Sequence, residues 1–405
     1  MKKITNLMKK ISMMKNLNSL PTEQEVKRIE YMQPSLNLLH EYNDEVSSSQ
    51  LLKPIDLEAK IAEFGFETAV EYVRTGPVVS RYELKLARGV RIGQFRKISE
   101  DLSLALGNRV RIQAPVPGTN LIGIEVANDK QGIIGFRNLL EKYPTGNQIK
   151  FLPDSESYRL PLVLGTDIVG KPKIIDLAKM PHLLIAGQTG SGKSVCLNSI
   201  ILSILFTLRP EQCELILVDP KRVEMTAYKN IPHLRCPVVT EPEDALKVFT
   251  TLIKEMENRY KILSDASVRN IESFNKQGGE MPYIITVVDE MADLMMTSGK
   301  DLEKMIVRIA QLARAVGIHL VLATQKPVVK VITGLIKSNM PSRISFQVAS
   351  KMDSRVILDI NGAEKLLGRG DMLLTAPGSS EPERFHGAWV SDEEIKAVTD
   401  FIRGG

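Results

Sequence analysis

Gly187-Gln188-Thr189-Gly190-Ser191-Gly192-Lys193-Ser194 follows directly on the apolar run His182-Leu183-Leu184-Ile185-Ala186 and leads into a second apolar stretch, Val195 to Leu208. A strand, a glycine-rich turn and a helix in that order leave several backbone N–H groups aimed at one point, where the helix N-terminus adds about half a positive charge. A nucleoside triphosphate suits that point. Gly187 to Ser194, with Val195 on the first helical turn, would form its cradle. Lys193 is placed to reach the β- and γ-phosphates, and the Ser194 hydroxyl to be a Mg²⁺ ligand. Chance assembly of common residues is the competing reading, and the flanking strand and helix argue against it.

Tyr283-Ile284-Ile285-Thr286-Val287-Val288 is another apolar run, and it ends in Asp289-Glu290. In a parallel sheet these acids and the glycine-rich turn emerge at the same edge, where ligands of such sheets sit. Asp289 is then expected to hold the Mg²⁺, usually through water, and Glu290 to polarise the attacking water. An acidic helix cap is the alternative. Asp219 ends a third run, Leu215 to Val218, and precedes Pro220-Lys221-Arg222; support of the metal or phosphates competes evenly there with loop capping. Gln325 follows His319 to Ala323 and Thr324, where it can sense the γ-phosphate or bond within its loop. Arg314 precedes that run and stands away from its own subunit's phosphates. It suits either completion of a neighbour's site or a surface ion pair.

The elements that must hold these residues read as an α/β fold: a parallel sheet of near-continuous apolar strands, covered by helices on both faces. Helices are expected near Glu243 to Leu263 and Lys300 to Val316. Ahead lies a smaller α/β unit. Asp56 can cap a short helix, Thr68 to Arg74 and Val78 to Leu86 read as strands about the Thr75-Gly76-Pro77 turn, and Tyr82, Leu84 and Leu86 alternate with Arg81, Glu83 and Lys85. A helix is expected from Ile92 to Leu106, closed by Gly107, then strands Val110 to Ala114 and Leu121 to Val126 and a helix from Gly132 to Tyr143. Short strand-like runs, Arg159 to Leu164 and Lys173 to Ile175, form a connector. The division expected is a flexible leader 1–53, a small α/β domain 54–150 and a nucleotide-binding domain 151–405.

With 405 residues, 43% apolar and 25% charged, the composition is that of an ordinary folded protein of two or three domains. Leu197 to Leu208 is too short and too interrupted for a bilayer span. Lys2, Lys3, Lys9, Lys10 and Lys15 among Ile, Leu and Met allow a short basic amphipathic helix, although a frayed start is the reading adopted. Cys196, Cys213 and Cys236 lack metal-ligand spacing and cannot all pair, which fits a reducing, cytoplasmic setting. The net charge of +5 permits a nucleic-acid partner without requiring one. Basic residues do cluster after Gln325, at Lys326, Lys330, Lys337, Arg343, Lys351 and Arg355. Few aromatics accompany them, which suits phosphate contacts along a duplex better than base stacking; a solvated face is the alternative.

The chain resembles the motor region of the FtsK/SpoIIIE DNA translocases from about Leu57 to Val390. The resemblance rests on GPVVSRYEL, PHLLIAGQTGSGKSVCLN, LVDPKRVEM, IPHLRCPVV, EMENRYKILS, RNIESFN, VVDEMADLMM, ARAVGIHLVLATQ, VITGLIKSNMPSRISFQVASKMDSRVILD and GAEKLLGRGDMLL. It implies a small α domain and a RecA-like P-loop β domain, a homo-oligomer, hexameric by the family's habit, around double-stranded DNA, and hydrolysis of ATP with Mg²⁺ between subunits. It supports Lys193, Ser194, Asp289 and Glu290 in the roles above, with Gln325 as sensor and Arg314 as the trans arginine ahead of Arg343. It also implies that Lys326, Lys337, Lys351 and Arg355 touch the DNA backbone. After the sensor glutamine the family usually reads Arg-Pro-Ser-Val-Asp, whereas Lys326-Pro327-Val328-Val329-Lys330 stand here. Lysine keeps the charge and loses the guanidinium fork, so the grip on DNA is expected to differ. The family's membrane-spanning start and winged-helix end are expected to be missing. Related pumping ATPases of conjugation, packaging or secretion, and a nucleotide-controlled DNA-binding ring scaffold, are the rival readings.

Overall fold

A computed structural model describes residues 31–43, 52–142, 158–379 and 381–404. The basic start and the expected boundary near residue 150 lie outside the described residues. Four strands, β1 (Thr68–Thr75), β2 (Val79–Leu86), β3 (Val110–Gln113) and β4 (Ile122–Ala127), form an antiparallel sheet in the order β1-β2-β4-β3. The alternation in β2 sends Tyr82 and Leu84 into a core with Leu57, Ile61, Phe95 and Leu102. The helical stretch expected over Ile92 to Leu106 is broken into Ile92–Phe95, a tight turn Arg96–Ile98 and Ser99–Leu106, and Gly107 ends it at φ +64°.

The other face of this small sheet is only partly open to solvent. Glu83 and Glu125 are buried there, and β-pairing aligns Arg81, Glu125 and Arg111 in one row across β2, β4 and β3. Glu125 is met there by a second, larger sheet of nine strands, running β6-β5-β13-β12-β11-β7-β10-β9-β8. Its members are β5 (Pro161–Asp167), β6 (Pro172–Asp176), β7 (His182–Ala186), β8 (Cys213–Val218), β9 (Tyr283–Val288), β10 (Ile318–Thr324), β11 (Ser342–Phe346), β12 (Asp371–Thr375) and β13 (Glu383–Gly387).

The parallel sheet expected from sequence is present, and antiparallel strands extend it. β11, β7, β10, β9 and β8 are parallel, while β12, β13, β5 and β6 continue it antiparallel. The reason lies in the connections: short turns link β5 to β6 and β12 to β13, and parallel neighbours would need a crossover of a dozen residues or more.

The apolar runs face both ways. Leu183, Ile185, Leu217, Val287 and Val321 pack on the helix Lys193–Thr207, and Leu184, Ile216, Val288, Leu320 and Leu322 on the helices Pro242–Asp265 and Met291–Leu312. The latter helix starts earlier than expected and kinks at Ser298, whose φ/ψ are non-helical. Nearly every residue of Lys193–Thr207 is buried, which accounts for its lack of a polar face. Residues 31–43, assigned to the leader by sequence, cover it: the Tyr31 hydroxyl donates to the Leu205 carbonyl at 2.5 Å, and Leu39 joins the same core. The helix Phe136–Glu141 likewise packs into this core rather than on the small sheet. Cys196, Cys213 and Cys236 are all buried and free.

Side-chain contacts tie the small unit to the larger one. Arg384 on β13 donates from Nε and Nη2 to the two carboxylate oxygens of Asp371 at 2.9 and 2.7 Å, and from Nη1 to Glu125 on β4 at 2.7 Å. Arg111 completes the pairing of Glu125 at 3.0 Å. All of this lies away from water, with side-chain exposures of 4% for Arg384 and 1% for Glu125 and Asp371. Lys365 reaches across separately, donating to the Ser99 hydroxyl at 2.7 Å.

Candidate functional site

Register brings five strand ends to one edge. Ala186 of β7 lies beside Thr324 of β10 and Ser345 of β11, and Val288 of β9 beside Leu322 of β10 and Val218 of β8. The glycine-rich loop, Gln325, Asp289-Glu290, Asp219 and Gln347 therefore leave the sheet together. This is the convergence that the apolar runs and their polar ends predict.

The loop is shaped by backbone contacts. The Gly187 amide donates to the Thr324 carbonyl at 3.3 Å, Gln188 to Gln347 at 3.0 Å, and Ser191 to Gln188 at 3.1 Å. Gly192 caps the following helix at φ +108°, a conformation costly for any other residue. The Gly370 amide donates to the Ser191 carbonyl at 2.8 Å, so close that a Cβ on Gly192 would stand 2.5 Å from the Gly370 nitrogen. Neither backbone can yield cheaply. Gly192→Ala is expected to weaken nucleotide affinity about ten- to a hundredfold, the equivalent of ~1–3 kcal/mol of backbone strain. Titration with a fluorescent ATP analogue checks this, and unchanged affinity would show that the contact gives way.

Lys193 is 3% exposed, and its ammonium donates to the Asp289 carbonyl at 2.8 Å and to Asp289 Oδ1 at 2.5 Å. Asp289 Oδ2 is buried with no hydrogen-bond partner among the described residues. A buried carboxylate oxygen left unpaired is costly, and a hard cation is the natural complement for it. The Ser194 hydroxyl supplies a second oxygen and donates to Glu224 Oε1 at 2.6 Å. One serine and one aspartate suit Mg²⁺, which takes few protein oxygens and completes its shell with phosphates and water.

Glu290 is fully buried and accepts from the Thr324 hydroxyl at 2.6 Å, the Ala292 amide at 3.2 Å, the Gln325 amide at 3.1 Å and Lys221 at 3.0 Å. Burial alone would raise its pKa; the Thr324, Lys221 and Gln325 donors outweigh burial and hold it below the ordinary value. The Ala292 contact makes Glu290 the cap of Met291–Leu312 as well, so the capping and catalytic readings coexist in one side chain. The Gln325 side-chain oxygen accepts from the Thr189 hydroxyl at 2.9 Å, beside the loop. Asp219 is buried; its Oδ2 accepts from the Met225 amide at 3.0 Å and its Oδ1 has no partner among the described residues.

Other residues singled out in sequence lie elsewhere. Arg314 is exposed on the turn Ala313–Val316, before β10, at the opposite edge of the sheet. Arg343 starts along β11 and pairs with Asp359 at 3.0 Å, and Lys337 pairs with the same carboxylate at 2.6 Å. Lys351 faces Glu100 of the small unit at 3.6 Å, and Arg355 donates to Asn361 at 2.8 Å. Lys326 stays near the site, half-exposed and 3.9 Å from Asp293. Sequence reasoning missed Lys221 as a partner of Glu290, and also Glu224, Thr324 and Gln347. Lys221 stood in plain view behind Asp219-Pro220, while Glu224 carries no local signal.

A glycine-rich loop between a strand and a helix, with paired acids ending a parallel strand one removed in the same sheet, defines a P-loop nucleotide-binding protein of the α/β class. Sequence comparison narrows the class. A model of the FtsK/SpoIIIE family matches residues 152–282 and 276–329, and one of the FtsK alpha domain matches residues 33–128. A protein of Staphylococcus epidermidis named DNA translocase FtsK is 44% identical over 95% of this chain and 49% of its own length; one of the same name from Listeria monocytogenes is 46% identical over 85% and 46%. This chain belongs to the FtsK/SpoIIIE family. It spans about half the length of the curated relatives it matches. Among solved structures, the pCW3 conjugation coupling protein TcpA, determined with ATPγS, shares the fold at a TM-score of 0.56 and 24% identity, covering 86% of this chain and 99% of its own. Among the described residues no helix is long and apolar enough to cross a membrane.

Proposed function

We propose that this chain is an ATP-driven translocase motor for double-stranded DNA, working in the cytoplasm as a ring of copies, a hexamer by family habit, in chromosome segregation at cell division. The observation that carries this reading is the meeting of Lys193, Ser194, Asp289, Glu290 and Gln325 at one sheet edge in a chain whose relatives are named DNA translocases. In this scheme Gly187 to Val195 cradle the phosphates and Lys193 neutralises the β- and γ-phosphates. Ser194 and Asp289 would hold Mg²⁺, which would supply positive charge to offset that of the phosphates. Glu290 takes a hydrogen bond from the attacking water, and Gln325 reads the γ-phosphate.

Arg314, exposed at the far edge of the sheet, acts on the neighbouring copy's site, a reading supported over Arg343 because Arg343 is engaged by Asp359. Lys326 is the freest of the DNA contacts. Lys337, Lys351 and Arg355 reach the duplex only by leaving Asp359, Glu100 and Asn361. The division into a leader 1–53, a small domain 54–150 and a P-loop domain 151–405 belongs to the same proposal, with residues 31–43 and 136–141 lent to the P-loop domain's core.

ATP turnover measured with and without linear duplex, combined with displacement of a triplex-forming strand, tests the reading. Duplex is expected to raise turnover several-fold and the third strand to be released in an ATP-dependent way. Flat turnover with no displacement overturns it. Stimulation by a protein substrate instead of duplex points to a secretion-type pump.

A further inference from the structure

The loop leaving β8, from Asp219 to Met225, touches the site at two separate points. Lys221 Nζ lies 3.0 Å from Glu290 Oε2, and Glu224 Oε1 accepts from the Ser194 hydroxyl at 2.6 Å. Between them Arg222 takes φ +60° and pairs with Glu241, while Val223 is 70% exposed. The loop is thus pinned across the site, one end on the phosphate loop and the other on the carboxylate that must serve the water.

An ionised carboxylate offers about four acceptor positions. Glu290 has filled them with the Thr324 hydroxyl, the Ala292 and Gln325 amides and Lys221. A water therefore has no open acceptor on Glu290 in this arrangement. Three of the four donors are fixed, since two are backbone amides and Thr324 is fully buried at the end of β10. Lys221 alone sits on a flexible, 35% exposed side chain, and it can swing away without disturbing a helix or strand.

We propose that Lys221 is a positioning residue that occupies Glu290 and withholds it from water until a stronger anion draws the ammonium away. The γ-phosphate of a bound triphosphate is such an anion at the same sheet edge. Glu224 serves the device by anchoring the loop to Ser194, so that Lys221 stays within reach of both. Release of Lys221 is then a step that duplex DNA can speed, because movement of the loop suffices for it. This inference rests on the ATPase reading.

The test is steady-state ATP turnover of the full chain without and with linear duplex, for the wild type, Lys221→Met and Lys221→Arg, with affinity for a fluorescent ATP analogue measured in parallel. Lys221→Met is expected to raise DNA-free turnover about tenfold, the rate equivalent of one charge-assisted hydrogen bond, and to shrink stimulation by DNA by the same factor. Lys221→Arg, which still occupies the carboxylate, is expected to behave as wild type. DNA-free turnover of Lys221→Met at or below the wild-type rate, with nucleotide still bound, overturns the role of Lys221 and leaves the ATPase reading intact. Absence of turnover in the wild type itself overturns both.

Discussion

Glu290→Gln is expected to bind ATP with affinity close to wild type and to turn it over about 10²- to 10⁴-fold more slowly, the span that general-base assistance commonly supplies. The amide keeps the size of the carboxylate and loses both its charge and one acceptor. Each oxygen of Glu290 now serves donors, Oε1 taking Thr324 and Ala292 and Oε2 taking Lys221 and Gln325. An amide nitrogen in either place meets donors with a donor. The substitution thus disturbs the orientation of the side chain as well as its basicity, while Lys193, Ser194 and the loop amides are untouched. Phosphate release and equilibrium binding of a fluorescent ATP analogue measure the two effects separately. Turnover within tenfold of wild type would place the base on another residue. A variant that loses turnover but still moves a third strand off duplex DNA would favour a nucleotide-controlled scaffold over a motor.

Arg384→Met is expected to cost about 3–5 kcal/mol of stability, the range seen when one partner of a buried ion pair is removed. Arg384 is the shared cation of Asp371 and Glu125, and without it two buried carboxylates face each other with Arg111 alone to balance them. Burial alone would raise the pKa of Glu125; the charges of Arg111 and Arg384 outweigh it and hold the group below the usual carboxylate range. Asp371 behaves likewise through Arg384, His386 and the Leu367 amide.

A carboxylate whose folded pKa lies below its unfolded one contributes stability that is complete above the unfolded value and is lost as pH falls through the folded value. In wild type this contribution therefore survives to acid below the ordinary carboxylate range. In Arg384→Met the two groups lose part of the cause of that depression, Arg111 remaining beside Glu125, so they bind protons more readily when folded and recover stability as pH falls. The stability gap between the two proteins should narrow from neutral pH down toward about 4. Denaturant midpoints across this interval check both the size and the slope. Lysine at this position would not restore the wild type, because a single ammonium cannot form the two-pronged contact with Asp371 while reaching Glu125. A pH-independent gap would show that the loss is one of packing.

The strands that carry the site were readable because each is a mostly apolar run that then stops at a glycine or a polar residue. Ala186 before Gly187, Val288 before Asp289 and Thr324 before Gln325 are such stops, and parallel register does the rest. β11, β12 and β13 escaped detection since polar residues interrupt them, Arg343 and Ser345 in one, Asp371 in the next, Arg384 and His386 in the last. Asp371, Arg384 and His386 are buried against one another and Glu125, partners distant in sequence that no local pattern encodes. Glu125 teaches the same lesson from the small sheet. Alternation marks two faces correctly, but at Glu125 the second face meets another sheet rather than water. Lys221 and Glu224 sit on a loop, where periodicity is silent and only the folded path brings them to Glu290 and Ser194.

The three cysteines carry a practical consequence for watching this chain at work. Each is buried, and burial pushes the thiols of Cys196 and Cys236 up to about 12 and about 11 and that of Cys213 higher still. Thiolates are the species that react with maleimide dyes, so the native side chains will stay dark under mild labelling. A single cysteine introduced at an exposed site such as Met296 or Leu104 can take a fluorophore in the otherwise unaltered sequence. Distance measurements by energy transfer between the two sheets then need no cysteine-free background.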